Sequence, residues 1–261
     1  MNTQSSSSRR SCNRGFCSNE LTAHKVGPTA YRTQKRWHSK PPSKSSSTTR
    51  QKQSVGTLSK TELDNRLRQS ALAKAKQGHH EDAIVLFSQL IQRNPDSAND
   101  YSNRGLVYFQ SGQFDAALAD YNTALDLNPR LDSAYNNRAN YYASQGQLLE
   151  AILDYDTALD LNPGNIRAWI NQGITFRDLQ MYDQAIISFD LALHFGRFEG
   201  HTYAERGRTY HLWGDWNCAI ADYKRALEQL PEVSLSVADP SLRLRLQVEG
   251  WMDELLEPLQ Q

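Results

Sequence analysis

From Asp64 to Val233 the sequence repeats with a period of 34 residues, five times and without insertion: 64–97, 98–131, 132–165, 166–199 and 200–233. A fixed period of this length marks an array of small supersecondary units, none of which can bury its apolar face alone. Counted within the unit, position 20 is alanine throughout (Ala83, Ala117, Ala151, Ala185, Ala219), and position 8 is small (Ala71, Gly105, Ala139, Gly173, Gly207). Aromatic rings recur at position 4 (Tyr101, Tyr135, Trp169, Tyr203), position 11 (Tyr108, Tyr142, Phe176, Tyr210) and position 24 (Phe87, Tyr121, Tyr155, Phe189, Tyr223). Position 15 is Gly78, Gly112, Gly146 and Gly214, with Gln180 departing, and the first three units end in Asn-Pro at Asn94-Pro95, Asn128-Pro129 and Asn162-Pro163.

These residues resemble the tetratricopeptide repeat, a 34-residue helix–turn–helix. The resemblance covers residues 64–233 and implies an all-α solenoid of five hairpins. The physics agrees with it. Small residues at positions 8 and 20 let the two helices of a hairpin approach, and the aromatics fill the space between them. Such rings are core residues rather than a cofactor box. Glycine at position 15 provides the left-handed backbone that ends the first helix. The residue before proline disfavours helix, so Asn-Pro ends the second. The fourth unit is irregular, with Gln180 for glycine and Arg197 where proline is expected, and a bend is expected between His194 and Gly200. Positions 7 and 23 vary together: Arg104 with Asp120, Arg138 with Asp154, Arg206 with Asp222, but Gln172 with Ser188. This predicts a salt bridge across each hairpin and makes those arginines structural.

The array has distinct ends. Ser59-Lys60-Thr61-Glu62 reads as a capping box at the start of ordered structure. Asp239-Pro240 reads as an N-cap and first turn of a helix running to about Leu256. Its apolar face (Leu244, Val248, Trp251, Leu255) would cap the last hairpin, the alternative being an exposed stripe for a partner. Residues 1–60 carry 12 Lys/Arg against Glu20 alone, whereas the remainder carries 17 against 28 acids. Residues 1–58, rich in serine and poor in large aliphatics, are expected to be disordered. Three readings stand: a solvated basic tail lying on the acidic outer side of the array, an organelle presequence, or an arm for nucleic acid or anionic membrane. No apolar run is long enough to cross a bilayer. The expected location is therefore the cytoplasm, or a chloroplast or mitochondrion if residues 1–58 are a presequence. Cys12, Cys17 and Cys218 form neither a disulfide framework nor a zinc site.

Nothing in the sequence marks catalysis, a cofactor or a metal site. There is no nucleophile elbow, phosphate loop or H-E-x-x-H motif. Helix-surface carboxylates and the His79-His80 turn are read as solvated, and no small-molecule substrate is expected. Family resemblance places positions 2, 5, 6, 9, 12 and 13 in a concave groove. Position 6 there is Gln69, Asn103, Asn137, Asn171 and Glu205, with Asn136 and Asn140 beside Asn137. An amide offers a donor and an acceptor, so this row resembles the asparagine ladder of the O-linked N-acetylglucosamine transferase repeats and implies a grip on the backbone of an extended peptide. The other reading is that these amides only solvate a helix or bond within a hairpin. Specificity would come from Arg167, Arg177, Arg208 and a pocket near Phe109. The mapped groove holds Arg68, Lys76, Arg167, Arg177 and Arg208 against Asp178 and Glu205, which favours an acidic or carboxylate-bearing ligand. The spacing of Lys, Asn and Arg needed to clamp heat-shock chaperone C-termini is not met. The repeats, with N-R-G/A and D-Y signatures, resemble bacterial, especially cyanobacterial, and plastid arrays. The resemblance implies an adaptor or assembly factor; the alternative is a tether whose basic tail holds nucleic acid or membrane.

Overall fold

The computed structural model describes residues 59–232 and 239–257. The expected disorder of residues 1–58 lies outside them. Eleven α-helices are found among the described residues. Five hairpins are formed by α1 (Lys60–Lys76) with α2 (His80–Arg93), α3 (Ala98–Gln110) with α4 (Phe114–Leu127), α5 (Asp132–Ser144) with α6 (Leu148–Leu161), α7 (Ile166–Asp178) with α8 (Tyr182–His194), and α9 (Glu199–Trp213) with α10 (Trp216–Gln229). The last helix is α11 (Pro240–Leu256). The described residues form an all-α solenoid of five helix–turn–helix repeats closed by a C-terminal helix.

Each boundary has a local cause. The Ser59 hydroxyl accepts from the Glu62 N–H while the Glu62 carboxylate accepts from the Ser59 N–H at 2.8 Å, which completes the capping box of α1. First helices end where φ turns positive, at Gly78 (81°), Gly112 (77°), Gly146 (75°) and Gly214 (87°). Gln180 takes the same left-handed conformation (φ 60°) without glycine's freedom. The register thus imposes on a side chain a backbone that costs it on the order of 1 kcal/mol. Where proline is missing, the link between α8 and α9 is Phe195-Gly196-Arg197-Phe198, and Phe198 is also left-handed at φ 59°.

The hairpin cores form as the small residues require. All the position-20 alanines and position-24 rings are buried to within 1%. Burying each ring fully contributes about 2–3 kcal/mol, so these five side chains outweigh any single surface contact. Helix approach is set by position 8: a Cβ on Gly105, Gly173 or Gly207 would come within 2.8 Å of the ring of Tyr121 or Phe189, or 2.7 Å of Tyr223.

The predicted Arg–Asp bridges are present, each with two parallel bonds. Arg104 Nε meets Asp120 at 2.7 Å, Arg138 meets Asp154 at 2.7 Å and Arg206 meets Asp222 at 2.7 Å. In the fourth repeat the Ser188 hydroxyl donates to Gln172 Oε1 at 3.0 Å. The same position-7 side chains also reach back to position 25 of the preceding repeat. Arg104 donates to Ser88 (3.0 Å), Arg138 to Asn122 (2.8 Å), Gln172 to Asp156 (2.7 Å) and Arg206 to Asp190. Each guanidinium lies between the position-4 and position-11 rings of its own helix, at 5.5–5.9 Å. Position 7 therefore closes its own hairpin and fastens it to the one before.

Successive first helices pack on one another (α3 on α5, α5 on α7, α7 on α9), whereas successive second helices do not make comparable contact. The array therefore bends with its first helices on the inner side. α11 packs against both α9 and α10, the place that the first helix of a sixth repeat would take. Asp239 caps it through the Ser241 N–H, and Leu244, Val248 and Leu255 are buried.

Candidate functional site

Position 6 lies two residues before the small residue of position 8, which is 200° around a helix of 3.6 residues per turn. A side chain there points away from its own hairpin, on the inner side of the array. Asn103, Asn137 and Asn171 occupy this place on α3, α5 and α7, and all three are half-buried.

The row is partly used to hold the repeats in register. Asn137 Nδ2 donates to Ser102 Oγ on the preceding first helix at 3.2 Å. Asn171 Nδ2 donates at 2.8 Å to Asn140 Oδ1, which also accepts from the Tyr155 hydroxyl at 2.6 Å. Asn136 is buried at 8% exposure; its Nδ2 lies 3.5 Å from Asn137 Oδ1 and its own Oδ1 has no hydrogen-bond partner among the described residues. Asn103 makes no side-chain hydrogen bond among the described residues. Its repeat carries Leu106 at position 9, where the next carries Asn140. The Tyr121 hydroxyl, equivalent to that of Tyr155, is consequently buried without a hydrogen-bond partner among the described residues.

The charges of the groove are spent in the same way. Arg68 donates twice to Asp100, at 2.6 and 2.8 Å, with the carboxylate 1% exposed. Arg177 pairs with Glu205 at 2.6 Å. Arg208 pairs with Glu254 of α11 at 3.1 Å and lies 5.2 Å from the Trp251 ring. Of the five basic side chains mapped to the groove, Lys76 and Arg167 have no carboxylate partner among the described residues. Asp100 and Glu254 were outside the mapped positions, so the sequence count of free charge missed both. Asp100 could have been noticed as an acid at a position occupied by Ala134, Ala168 and Thr202 in later repeats. Glu254 carried no such signal, because its contact depends on where α11 docks.

Arg167 is exposed at the start of α7, 5.5 Å from the Phe198 ring, with Arg197 at 5.8 Å from the same ring. Arg167, Arg197 and Phe198 line an open cavity of about 390 Å³ together with Asp132, Asn162 and Asn165. Both amides donate to Asp132, at 3.0 and 3.2 Å. A second cavity of about 420 Å³ lies on the other side of Phe198, against His201, Leu230 and Ser241. Phe109 does not lie in either cavity; its ring packs 5.8 Å from Phe114, which meets Tyr141 at 6.5 Å. The arrangement thus leaves the Asn103 and Asn171 side-chain oxygens without a donor among the described residues, and sets Arg167 and Arg197 beside an open cavity. Among the described residues no group of three or more His, Cys, Asp or Glu could hold a metal ion. Nor is any helix there long and apolar enough to cross a membrane.

Three family models match parts of the array: "TPR repeat" over residues 105–146, and "Tetratricopeptide repeat" over 133–165 and over 67–97. A comparison with curated proteins gives no significant match. Among solved structures, the chain is similar to a thermophilic TPR protein of Thermus thermophilus, with TM-score 0.60, 20% identity and coverage of 72% of this chain and 98% of that one. It is similar to PilF of Pseudomonas aeruginosa, with TM-score 0.61, 19% identity and coverage of 76% and 92%. It is also similar to MamA, with TM-score 0.54, 19% identity and coverage of 67% and 100%.

Proposed function

We propose, for a chain that belongs to the tetratricopeptide-repeat family, that its inner face holds an extended peptide segment of a partner protein. The fold supports the general role of a protein–protein interaction adaptor. The observation that carries the finer reading is the half-used amide row on α3, α5 and α7. Among the described residues Asn103 has neither donor nor acceptor engaged, and Asn171 gives its donor to the neighbouring helix while its side-chain oxygen accepts nothing. Amides held from one side and open on the other suit a peptide backbone, whose N–H and C=O groups recur whatever the side chains are. Arg167 and Arg197 flank Phe198 without a carboxylate partner among the described residues, which favours an acidic or carboxylate-bearing segment at that end. No residue is assigned a catalytic role.

The test is affinity capture with the full chain, with Asn103→Ala and Asn103/Asn137/Asn171→Ala as comparisons. Asn103→Ala is the clean variant, because it removes no hydrogen bond among the described residues. The bound partner should be weakened by the single change and lost with the triple change. A partner retained equally by all three proteins would refute the groove. A second reading rests on the basic excess of residues 1–60: that segment tethers the array to nucleic acid or anionic membrane. Deleting residues 1–58 would then abolish salt-sensitive binding, whereas the adaptor would keep its partner.

A further inference from the structure

The outer face of the second to fourth repeats has a composition that the inner groove does not explain. α4, α6 and α8 contain nine carboxylates and no lysine or arginine. Asp120, Asp154 and Asp190 are taken by Arg104, Arg138 and Arg206. Asp115, Asp126, Glu150, Asp156, Asp160 and Asp183 have no cationic partner among the described residues. Amid these acids, α6 exposes Leu149 (67%) and Leu153 (67%), and α8 exposes Ile187 (57%) and Leu191 (38%). Both are i, i+4 pairs and so share one helix face. Leu153 and Ile187 lie two residues after the buried Ala151 and Ala185, 200° around the helix from the core. No packing within the array requires large aliphatic side chains there, since the equivalent residues are Ala119 in the second repeat and Ala221 in the fifth, although Val85 of the first is also an exposed aliphatic.

From this pattern we infer that α6 and α8 form a second docking surface, whose occupant is a basic amphipathic helix of a partner protein. The aliphatic stripe takes its apolar face, and the acidic flanks take its lysines and arginines. Charge selects a basic occupant over an acidic one. Two copies of the face would bring their unpaired carboxylates together, and an anionic lipid surface would be repelled. The inference does not rest on the groove reading, because the two surfaces lie on opposite sides of the hairpins.

The probe is a synthetic amphipathic peptide of leucine, lysine and alanine, about 18 residues or five helical turns long, titrated by fluorescence anisotropy against the full chain. Controls are the same composition scrambled so that the leucines no longer share a face, and the peptide with glutamate for lysine. The amphipathic peptide should bind, the controls should not, and added salt should weaken the complex. Leu153→Ser with Ile187→Ser should weaken it roughly a hundredfold, about tenfold for each buried aliphatic side chain, without shifting the thermal unfolding curve. Asp160→Lys with Asp183→Lys should weaken it and reduce the salt dependence. Equal binding of the scrambled peptide, or binding unaffected by the Ser variants, would overturn the assignment. Loss of binding in Asn103→Ala would also overturn it, by moving the peptide to the groove. Self-association of the chain that disappears in the Ser variants would overturn it in favour of a second copy.

Discussion

Changing Arg138 to Gln and Asp154 to Ser places in the third repeat the neutral pair that the fourth already carries as Gln172 and Ser188. The native pair is bonded at 2.7 and 2.9 Å, with side chains 21% and 10% exposed. Removing one partner of a buried pair costs about 3–5 kcal/mol. Partial exposure of Arg138 reduces this, so Arg138→Gln and Asp154→Ser are each expected to cost about 2–4 kcal/mol. In the double variant no charge is stranded. The glutamine can accept from Ser and donate to Asn122, as Gln172 does to Asp156. What remains lost is the contact of Arg138 with the Tyr135 and Tyr142 rings, about 0.5–1 kcal/mol each. The double variant should therefore cost about 1–2 kcal/mol, which implies a coupling energy of about 2 kcal/mol or more. Urea denaturation followed by far-ultraviolet circular dichroism measures all four proteins, provided that the slope with urea stays constant. Independent sites add within about 0.5 kcal/mol. A double variant as unstable as the sum of the singles would refute the claim that the pair works as a replaceable unit.

Other consequences are simpler to test. Gln180→Gly relieves the left-handed strain that its four glycine counterparts avoid, and should raise stability by about 1 kcal/mol, read as an increase of about 2–4 °C in Tm. Tyr121→Phe removes a buried hydroxyl that has no hydrogen-bond partner among the described residues and should be neutral or stabilising. Tyr155→Phe breaks the bond to Asn140 and should cost about 1 kcal/mol, so equal melting shifts would contradict the assigned network. His211, which contacts Tyr223 at 3.2 Å and Arg208 at 3.4 Å, has its pKa lowered first by burial and then by the Arg208 charge, with Glu254 opposing. The unfolded chain therefore takes up a proton there more readily than the folded one. Stability should fall as pH drops below about 6.5 and continue falling to the lower folded value. Urea midpoints across this range should fall less in His211→Gln, and an identical pH profile would exclude the histidine as a cause.

The repeat architecture can be read from the residues alone, because its causes are local and recur five times. Small residues where helices touch, rings where they leave space and glycine where the chain must turn left-handed can each be read one residue at a time. The Arg–Asp covariation across positions 7 and 23 was legible for the same reason. It is one contact seen in three copies, with a neutral fourth as control. The bonds from position 7 to position 25 of the preceding repeat were harder to read, since the acceptors differ in kind: Ser88, Asn122, Asp156 and Asp190.

The groove was legible as a position and not as a chemistry. Periodicity placed Asn103, Asn137 and Asn171 on one face, but which of their atoms are free depends on neighbours from other repeats. Asn137 is turned toward Ser102, Asn171 toward Asn140, and Asn103 toward neither. Arg68, Arg177 and Arg208 were counted as available charge, yet Asp100, Glu205 and Glu254 take them up. These pairings follow from the packing of one hairpin on the next. Local periodicity specifies the direction of a side chain from its own helix, whereas the partner it meets is set by the rise and rotation from one hairpin to the next.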